Sequence, residues 1–430
     1  MSTVDLQKRR KKKRKNSSTN ELLFPAVMWL SSRLLIWIFM LGIVPLLQTT
    51  ATSTAATFGL GVFDGIDSIH YRNIATTGYE YINDAEMHNK VAFFPLFPLT
   101  IKFLMKLGLS FELAGILVSN LAFLGAVYCV YFWVKSYYGD KEARWATAVL
   151  TWCPLSIFSS VIYPEGLYLL LTAATMQAFD KNRYALTAFF GALATATNPI
   201  GLALTPALII ASWKQRKNSI SYLAALATAI GVISYSLYCA FKLSQPLDFI
   251  EAQKTWFNSV GFDWEHWLIT AIKITIGTAN WESRTITEPI QPLLFTLVVI
   301  FSYLLLRFRK KLEKAKIDYA FAALIFIWWL VAGEPLINTL SVAGSAYLIW
   351  KLRKELSPVT ATYGLCGLGL ILAFGDSWFL SRIVYGIVSV SIALGILLSR
   401  HPRWGYLTMG LFAISLATYS IRFAQNLLVG

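Results

Sequence analysis

The chain has 430 residues, 56% of them hydrophobic and only 14% charged, with 15 Trp, 20 Tyr and 28 Phe. A soluble domain carries about a quarter charged residues, so this composition excludes an ordinary soluble fold and points to a polytopic membrane protein. The net charge of +15 does not imply a nucleic-acid partner. Its densest run, Lys8 to Lys15, is a solvated tail directly before a hydrophobic helix.

In chain order, residues 1–20 read as a disordered basic tail, which holds the amino terminus in the cytoplasm and attracts anionic lipid. The apolar run Leu22–Leu47 is the first span, too long for a signal peptide and without a small-residue cleavage pattern. An outer loop, 48–92, follows, and within it stands FDGIDSIHYRNIATT, Phe63 to Thr77. A helix there puts Asp64, Asp67 and Tyr71 on one face, with His70 one turn from Asp67. Ile66, Ile69 and Ile74 then form an apolar side for the membrane surface. Two readings stand: an interfacial helix with a solvated polar face, or a carboxylate held as general base within reach of a substrate hydroxyl.

FFPLFPLTIKFLMKLGL, Phe93 to Leu109, reads as a juxtamembrane or re-entrant helix rather than a span. It carries Lys102 and Lys106, and its prolines suit a backbone that enters the headgroup layer and turns. Together with the helix before it, it makes a long first extracytoplasmic loop that carries juxtamembrane helices. Further spans begin near Leu113, Trp145, Gly166, Tyr184, Pro199, Ser219, Gln291, Asp318, Leu336, Pro358, Ser381 and Gly405. The total is about 13, within a range of roughly 11 to 14, and the fold class is all-α. Residues 21–430 form one membrane domain.

Charge placement supports this layout. With Leu22–Leu47 running outward, the inner segments 1–21, 134–144, 180–183, 213–218, 307–317, 351–357 and 400–404 hold most of the 38 Lys and Arg. Most of the 23 acids fall outside. The long outer segments 48–92 and 243–288 are rich in Trp, Asp, Glu and His, so the working face is extracytoplasmic.

Outer cations are few: Arg72, Lys90, Lys242, Lys254, Lys273, Arg284, Arg382 and Arg422. Each reads either as a headgroup-level anchor or as a group that meets a substrate phosphate. Glu165 in YPEGL either orients a substrate or caps the next helix. Asp263, Glu265 and His266 flank Phe262, Trp264 and Trp267, a cluster suited to sugar stacking or to an aromatic belt. Asp64 with His70 or His88 is not a recognised metal-ligand set, and no metal or other cofactor is expected. The cysteines Cys129, Cys153, Cys239 and Cys366 lie in apolar runs as small core residues.

DSIHYRNIATTGY (Asp67–Tyr79) followed by FFPLFP (Phe93–Pro98) resembles the bacterial relatives of the second mannosyltransferase of GPI-anchor assembly. These PIG-V-like proteins belong to the GT-C superfamily. The resemblance continues through Leu113–Phe132, YPEGL (Tyr163–Leu167) and TNPIGL (Thr197–Leu202). It is looser after about residue 215 (QPLDFIEAQKTW at Gln245–Trp256, LSRIVY at Leu380–Tyr385). The sequence departs from the family at Ile66, where an aromatic commonly precedes the motif acid, and at Asn198, where Arg is frequent.

The resemblance implies a GT-C type glycosyltransferase, typically a mannosyltransferase. Its donor is a polyprenyl-phosphate sugar, and its acceptor is a hydroxyl of a glycan, glycolipid or protein. Asp67 matches the motif acid, the presumed base, with Asp64 and His70 beside it. Tyr71, Arg72, Glu165, Arg284 and Arg382 are the substrate-binding candidates, Arg382 and Arg72 foremost for the phosphate. The reaction is an inverting transfer at the extracytoplasmic membrane face. A nucleotide sugar would meet a cytoplasmic site, and the inner loops hold no Gly-rich phosphate loop or acidic metal pair. The alternative is a multi-span transporter or flippase of a lipid-linked sugar, which would use polar residues and broken helices near the midplane. Asn198–Pro199 is such a break, but the acids concentrate outside. A catalytically inactive scaffold is the third reading.

Overall fold

The structure, a computed structural model, describes residues 21–47, 59–79, 90–243, 245–256, 262–311, 313–373 and 379–427. The basic tail and His88 lie outside the described residues, as does the side chain of Lys254. Every regular element among the described residues is helical, so the chain is an all-α, multi-helix membrane protein.

Spanning ~30 Å of hydrocarbon takes about 20 helical residues. Five described helices are long and apolar enough: Glu21–Leu46, Phe111–Tyr138, Ser219–Lys242, Ile290–Arg307 and Pro402–Ala424. The pair Leu380–Gly386 and Val388–Arg400 makes a sixth if read as one bent span. Shorter apolar helices fill the remaining hydrophobic stretches, among them Tyr184–Thr197, Pro199–Lys214 and Pro358–Leu372. The stretch expected to form a juxtamembrane or re-entrant helix contains the helix Leu96–Lys106, 11 residues long and shorter than a span.

Local sequence explains where the longest early helix starts and stops. The Ser110 side chain accepts the Leu113 N–H and Glu112 sits in the first turn, both favourable at a helix N-terminus. Lys135 lies in the last turn, and Gly139, with φ of 115°, ends the helix in a conformation that glycine tolerates. Asp140 and Glu142 then open the next helix, Asp140–Trp152.

The chain divides into two compact units. The first comprises Met1–Trp256, Ala346–Leu370 and Tyr385–Val429, and the second Phe257–Ser345 and Ile371–Val384 with Gly430. Within the first unit, segments that the charge pattern assigns to one side meet each other. Glu21 pairs with Lys135 at 2.7 Å, Arg400 pairs with Glu355, and Ser399 donates to Glu142 at 3.2 Å. Lys217 donates to Asn182 at 2.6 Å.

The helix Glu165–Asp180 packs so closely on Phe111–Tyr138 that a Cβ at Gly166 would lie 2.3 Å from the Ser119 carbonyl oxygen. Small residues permit such backbone approach between membrane helices. In the second unit, Ile274, Ala332 and Leu336 form a small core, and the Trp328 indole donates to the Ile274 carbonyl at 3.3 Å. Asn280 organises the turn after Thr278–Ser283 by accepting from the Thr287 and Glu288 amides at 2.8 and 2.7 Å.

Candidate functional site

The motif is not one helix from Phe63. A short 3-10 turn, Leu60–Phe63, gives way to an extended Asp64, and the helix itself runs Ser68–Thr76 with Asp67 at its N-cap. Asp64 therefore does not share a helical face with Tyr71, as the spacing predicts. The cause is tertiary. Gly65 packs where a Cβ would come within 2.5 Å of Phe423 and 2.8 Å of the Tyr163 hydroxyl, and its N–H donates to Ser68 Oγ at 2.9 Å. The predicted apolar side also splits. Ile66 and Ile69 are exposed, whereas Ile74 turns into the core with Tyr71 and Ala75.

Asp64 is committed to Arg72. One guanidinium nitrogen donates to its Oδ2, and the other donates to Glu112 Oε1 at 2.8 Å. The guanidinium also lies over the Phe111 ring, 4.3 Å from the centroid. Partial burial works to lower the Arg72 pKa, but its bonds to Glu112 and Asp64 outweigh that and the net shift is upward. One cation thus faces two carboxylates.

Asp67, half-buried, is held through its backbone. Its N–H donates to the Tyr163 hydroxyl at 3.3 Å. On either side of it, the Ile162 N–H donates to the Phe63 carbonyl at 3.2 Å and Ser68 Oγ donates to the Ile162 carbonyl at 3.2 Å. The motif loop is stitched to Ile162 and Tyr163, at the start of YPEGL, 94 to 99 positions later in the chain.

The FFPLFP element closes the other side of the helix. His70 stacks on Phe93 with centroids 4.5 Å apart, and Tyr71 meets Phe93 and Phe97 edge-on at 5.1 and 5.0 Å. Such aromatic pairs are worth ~0.5–1.5 kcal/mol each beyond area burial. Phe94 turns the opposite way, onto Tyr235 and Phe249. Tyr79 donates to the Phe93 carbonyl, which ties the two halves of the resemblance motif together, and Tyr235 donates to the nearby Val91 carbonyl.

Asp64, Asp67, His70, Tyr71 and Arg72 thus come together with Glu112 and Tyr163. Glu165, 6% exposed, opens the helix Glu165–Asp180 just beyond Tyr163. Arg284 and Arg382 belong to the second unit. Arg284 is exposed, with φ of 53° at the end of Thr278–Ser283, and Arg382 is half-buried in Leu380–Gly386. Asp263 acts locally, its side chain capping Trp264–Ile276 by accepting the His266 N–H at 2.9 Å. Among the described residues no three His, Cys, Asp or Glu side chains gather as a metal-binding group.

Sequence reasoning missed three participants. Glu112 reads as an ordinary first-turn acid, and nothing local announces its bond to a residue 40 positions away. Tyr163 reads as part of YPEGL without a role. Arg33 was visible as a lone cation inside an apolar span, a pattern that marks a paired, inward-facing group. It is fully buried, donates to the Ser156 carbonyl and hydroxyl at 3.1 Å each, and lies 4.7 Å from the centroid of the Phe123 ring.

Solved structures similar to this chain include the oligosaccharyltransferase of Archaeoglobus fulgidus with zinc and sulfate (TM-score 0.44, 11% identity, 94% of this chain and 53% of that one). Its apo form matches with a TM-score of 0.46, again at 11% identity, over 94% of this chain and 56% of that one. The oligosaccharyltransferase AglB of the same organism, with an inhibitory peptide and a dolichol-phosphate, matches with a TM-score of 0.42 at the same identity and coverage as the apo form. The chain spans about half the length of these structures. No curated protein matches the sequence. The profile of the family described as Mannosyltransferase (PIG-V) matches residues 49–262, a stretch that contains the motif helix, FFPLFP, YPEGL and TNPIGL. Over residues 49–262 the chain matches the PIG-V mannosyltransferase family.

Proposed function

We propose that this mannosyltransferase takes its sugar from a polyprenyl-phosphate donor and transfers it, with inversion, to an acceptor hydroxyl at the extracytoplasmic membrane face. The acceptor is a glycan, glycolipid or protein. Asp67 removes the acceptor proton, the freed oxygen attacks the anomeric carbon, and the bond from that carbon to the phosphate oxygen breaks to release polyprenyl phosphate. The observation that carries the reading is the place of Asp67: it stands at the N-cap of the motif helix, at the family's acidic position, with its backbone N–H bonded to the Tyr163 hydroxyl. A base must reach the substrate hydroxyl, and this fixed stretch of backbone holds the carboxylate for that work.

The departing phosphate needs cationic partners. Arg382 and Arg72 are the cations proposed for this role, with Arg284 third. His70 and Tyr71 shape the wall beside the base, and Glu165 orients the acceptor. No metal or other cofactor takes part. The domain is a single GT-C type membrane domain of about 13 spans, the shorter broken helices counted as crossings, behind a cytoplasmic basic tail at 1–20.

Purified protein in vesicles is expected to release polyprenyl phosphate from polyprenyl-phosphate mannose when acceptor is present. In the same assay, Arg382→Ala should raise the donor concentration needed more than the acceptor concentration. Turnover with GDP-mannose in the absence of lipid donor would overturn the donor assignment.

Orientation has its own test. A cysteine in place of exposed Thr76 should react with an impermeant thiol reagent in intact cells, and one in place of exposed Arg403 only after lysis. The reverse pattern would invert the topology.

A further inference from the structure

The segment between the helices Asp140–Trp152 and Glu165–Asp180 is irregular, a 3-10 turn at Pro154–Ser159 followed by residues 160–164, and it is almost wholly buried. Irregular backbone survives in an apolar surround only where neighbours satisfy its polar groups. Here side chains from three other segments do so. Arg33 donates to the Ser156 carbonyl at 3.1 Å, Asn120 to the Ser160 carbonyl at 2.9 Å, Ser119 to the Tyr163 carbonyl at 2.9 Å, and Ser68 to the Ile162 carbonyl at 3.2 Å. The Trp37 indole adds a bond to Ser160 Oγ at 3.2 Å.

What this mount presents to the motif is the Tyr163 hydroxyl. The Tyr163 ring is 4% exposed and wedged between Phe158 and Phe423, with centroids 5.5 and 5.9 Å away. It cannot swing without disturbing both. Its hydroxyl accepts the Asp67 N–H, while the Ile162 backbone grips Phe63 and Ser68 on either side. Three bonds from two adjacent residues therefore fix the short stretch of backbone from which the Asp67 carboxylate projects.

We propose that Tyr163 is a positioning residue for the transfer reaction, its hydroxyl setting the backbone of Asp67 and hence the reach of that carboxylate toward the acceptor. The proposal rests on the assignment of Asp67 as the base. Catalytic groups displaced by about 1 Å lose up to ~10²-fold in rate, and one lost anchor among three should cost a fraction of that.

The test uses the full chain in vesicles with polyprenyl-phosphate mannose. Tyr163→Phe keeps the ring and removes the hydroxyl. It is expected to lower kcat roughly 10-fold while leaving KM for donor and acceptor, and the thermal unfolding midpoint, unchanged. On an Asp67→Asn background the same substitution should leave the residual rate unaltered, because groups that act as a unit are not additive. An unchanged kcat, or an equal loss on both backgrounds, overturns the proposal.

Should Tyr163→Phe fail to fold, Ser68→Ala removes the neighbouring anchor and should give the same kcat-only loss. Wild-type kcat in that variant also overturns it. Full activity in Asp67→Asn would instead refute the base assignment. An inactive Asp67→Asn beside a normal Tyr163→Phe refutes only the positioning role.

Discussion

Asp67→Asn is expected to reduce turnover by about 10²–10⁴-fold, the range a positioned general base contributes. That corresponds to roughly 3–5 kcal/mol of barrier. The substitution keeps the side-chain size and leaves the backbone N–H donating to Tyr163 as before, so the helix Ser68–Thr76 and its mount should persist. Asp64→Asn should behave differently. It weakens one of the two carboxylate bonds to Arg72, while Glu112 keeps the other at 2.8 Å. The three groups are part-exposed, with side-chain exposures of 35%, 21% and 27%, so solvent screens the pair and its loss should cost only about 0–1 kcal/mol of stability. Turnover assays on equal amounts of folded protein decide between the two acids. Near-normal turnover in Asp67→Asn with collapse in Asp64→Asn would move the base to Asp64.

Gly166→Ala is expected to destabilise the first unit by about 1–3 kcal/mol, the usual cost of overpacking. In an open helix the exchange would gain up to ~1 kcal/mol from better helix propensity. At this position the added methyl meets the Ser119 carbonyl oxygen at 2.3 Å, with the Ser119 carbon at 3.2 Å and Phe123 Cβ at 3.3 Å. Backbone of a neighbouring helix cannot rotate aside as a flexible side chain can, so the two helices must part and the clash wins. Ser119 also carries the Tyr163 carbonyl on its hydroxyl, so the displacement should reach the motif loop and lower activity as well. The check is the thermal unfolding midpoint of the detergent-solubilised protein, with turnover measured on the folded fraction. A midpoint at or above that of the parent chain would show that the helices accommodate the methyl.

Much of the candidate site was legible because its residues are nearly contiguous. Asp67, His70, Tyr71 and FFPLFP are close in sequence, and the structure stacks His70 and Tyr71 against that element. The helix start was misjudged because the i, i+3, i+7 pattern runs through Gly65. Contacts with Phe423 and Tyr163, more than 300 and nearly 100 positions away, set the backbone there. The ion cluster around Asp64 was only half legible because its partners are only half local: Arg72 is eight residues on, and Glu112, which shares the guanidinium, is 48.

The break at Asn198–Pro199 was legible in the sequence, and the Asn198 side chain accepts the Ile200 N–H there, but hydropathy runs do not reveal that Tyr184–Thr197 and Pro199–Lys214 are each shorter than a span. Arg33 illustrates the opposite case. Its isolation in an apolar helix was visible from sequence, but its partner is the carbonyl of a 3-10 turn that no pattern predicts.

The central claim is a direct displacement in which Asp67 takes the acceptor proton and polyprenyl phosphate leaves. Its most direct test follows polyprenyl-phosphate release and the anomeric configuration of the glycosylated acceptor in one reconstituted reaction, for the parent chain and for Asp67→Asn. The parent chain should give stoichiometric release with inverted configuration, and Asp67→Asn neither product at a comparable rate. Retained configuration, or parental release by Asp67→Asn, would contradict it.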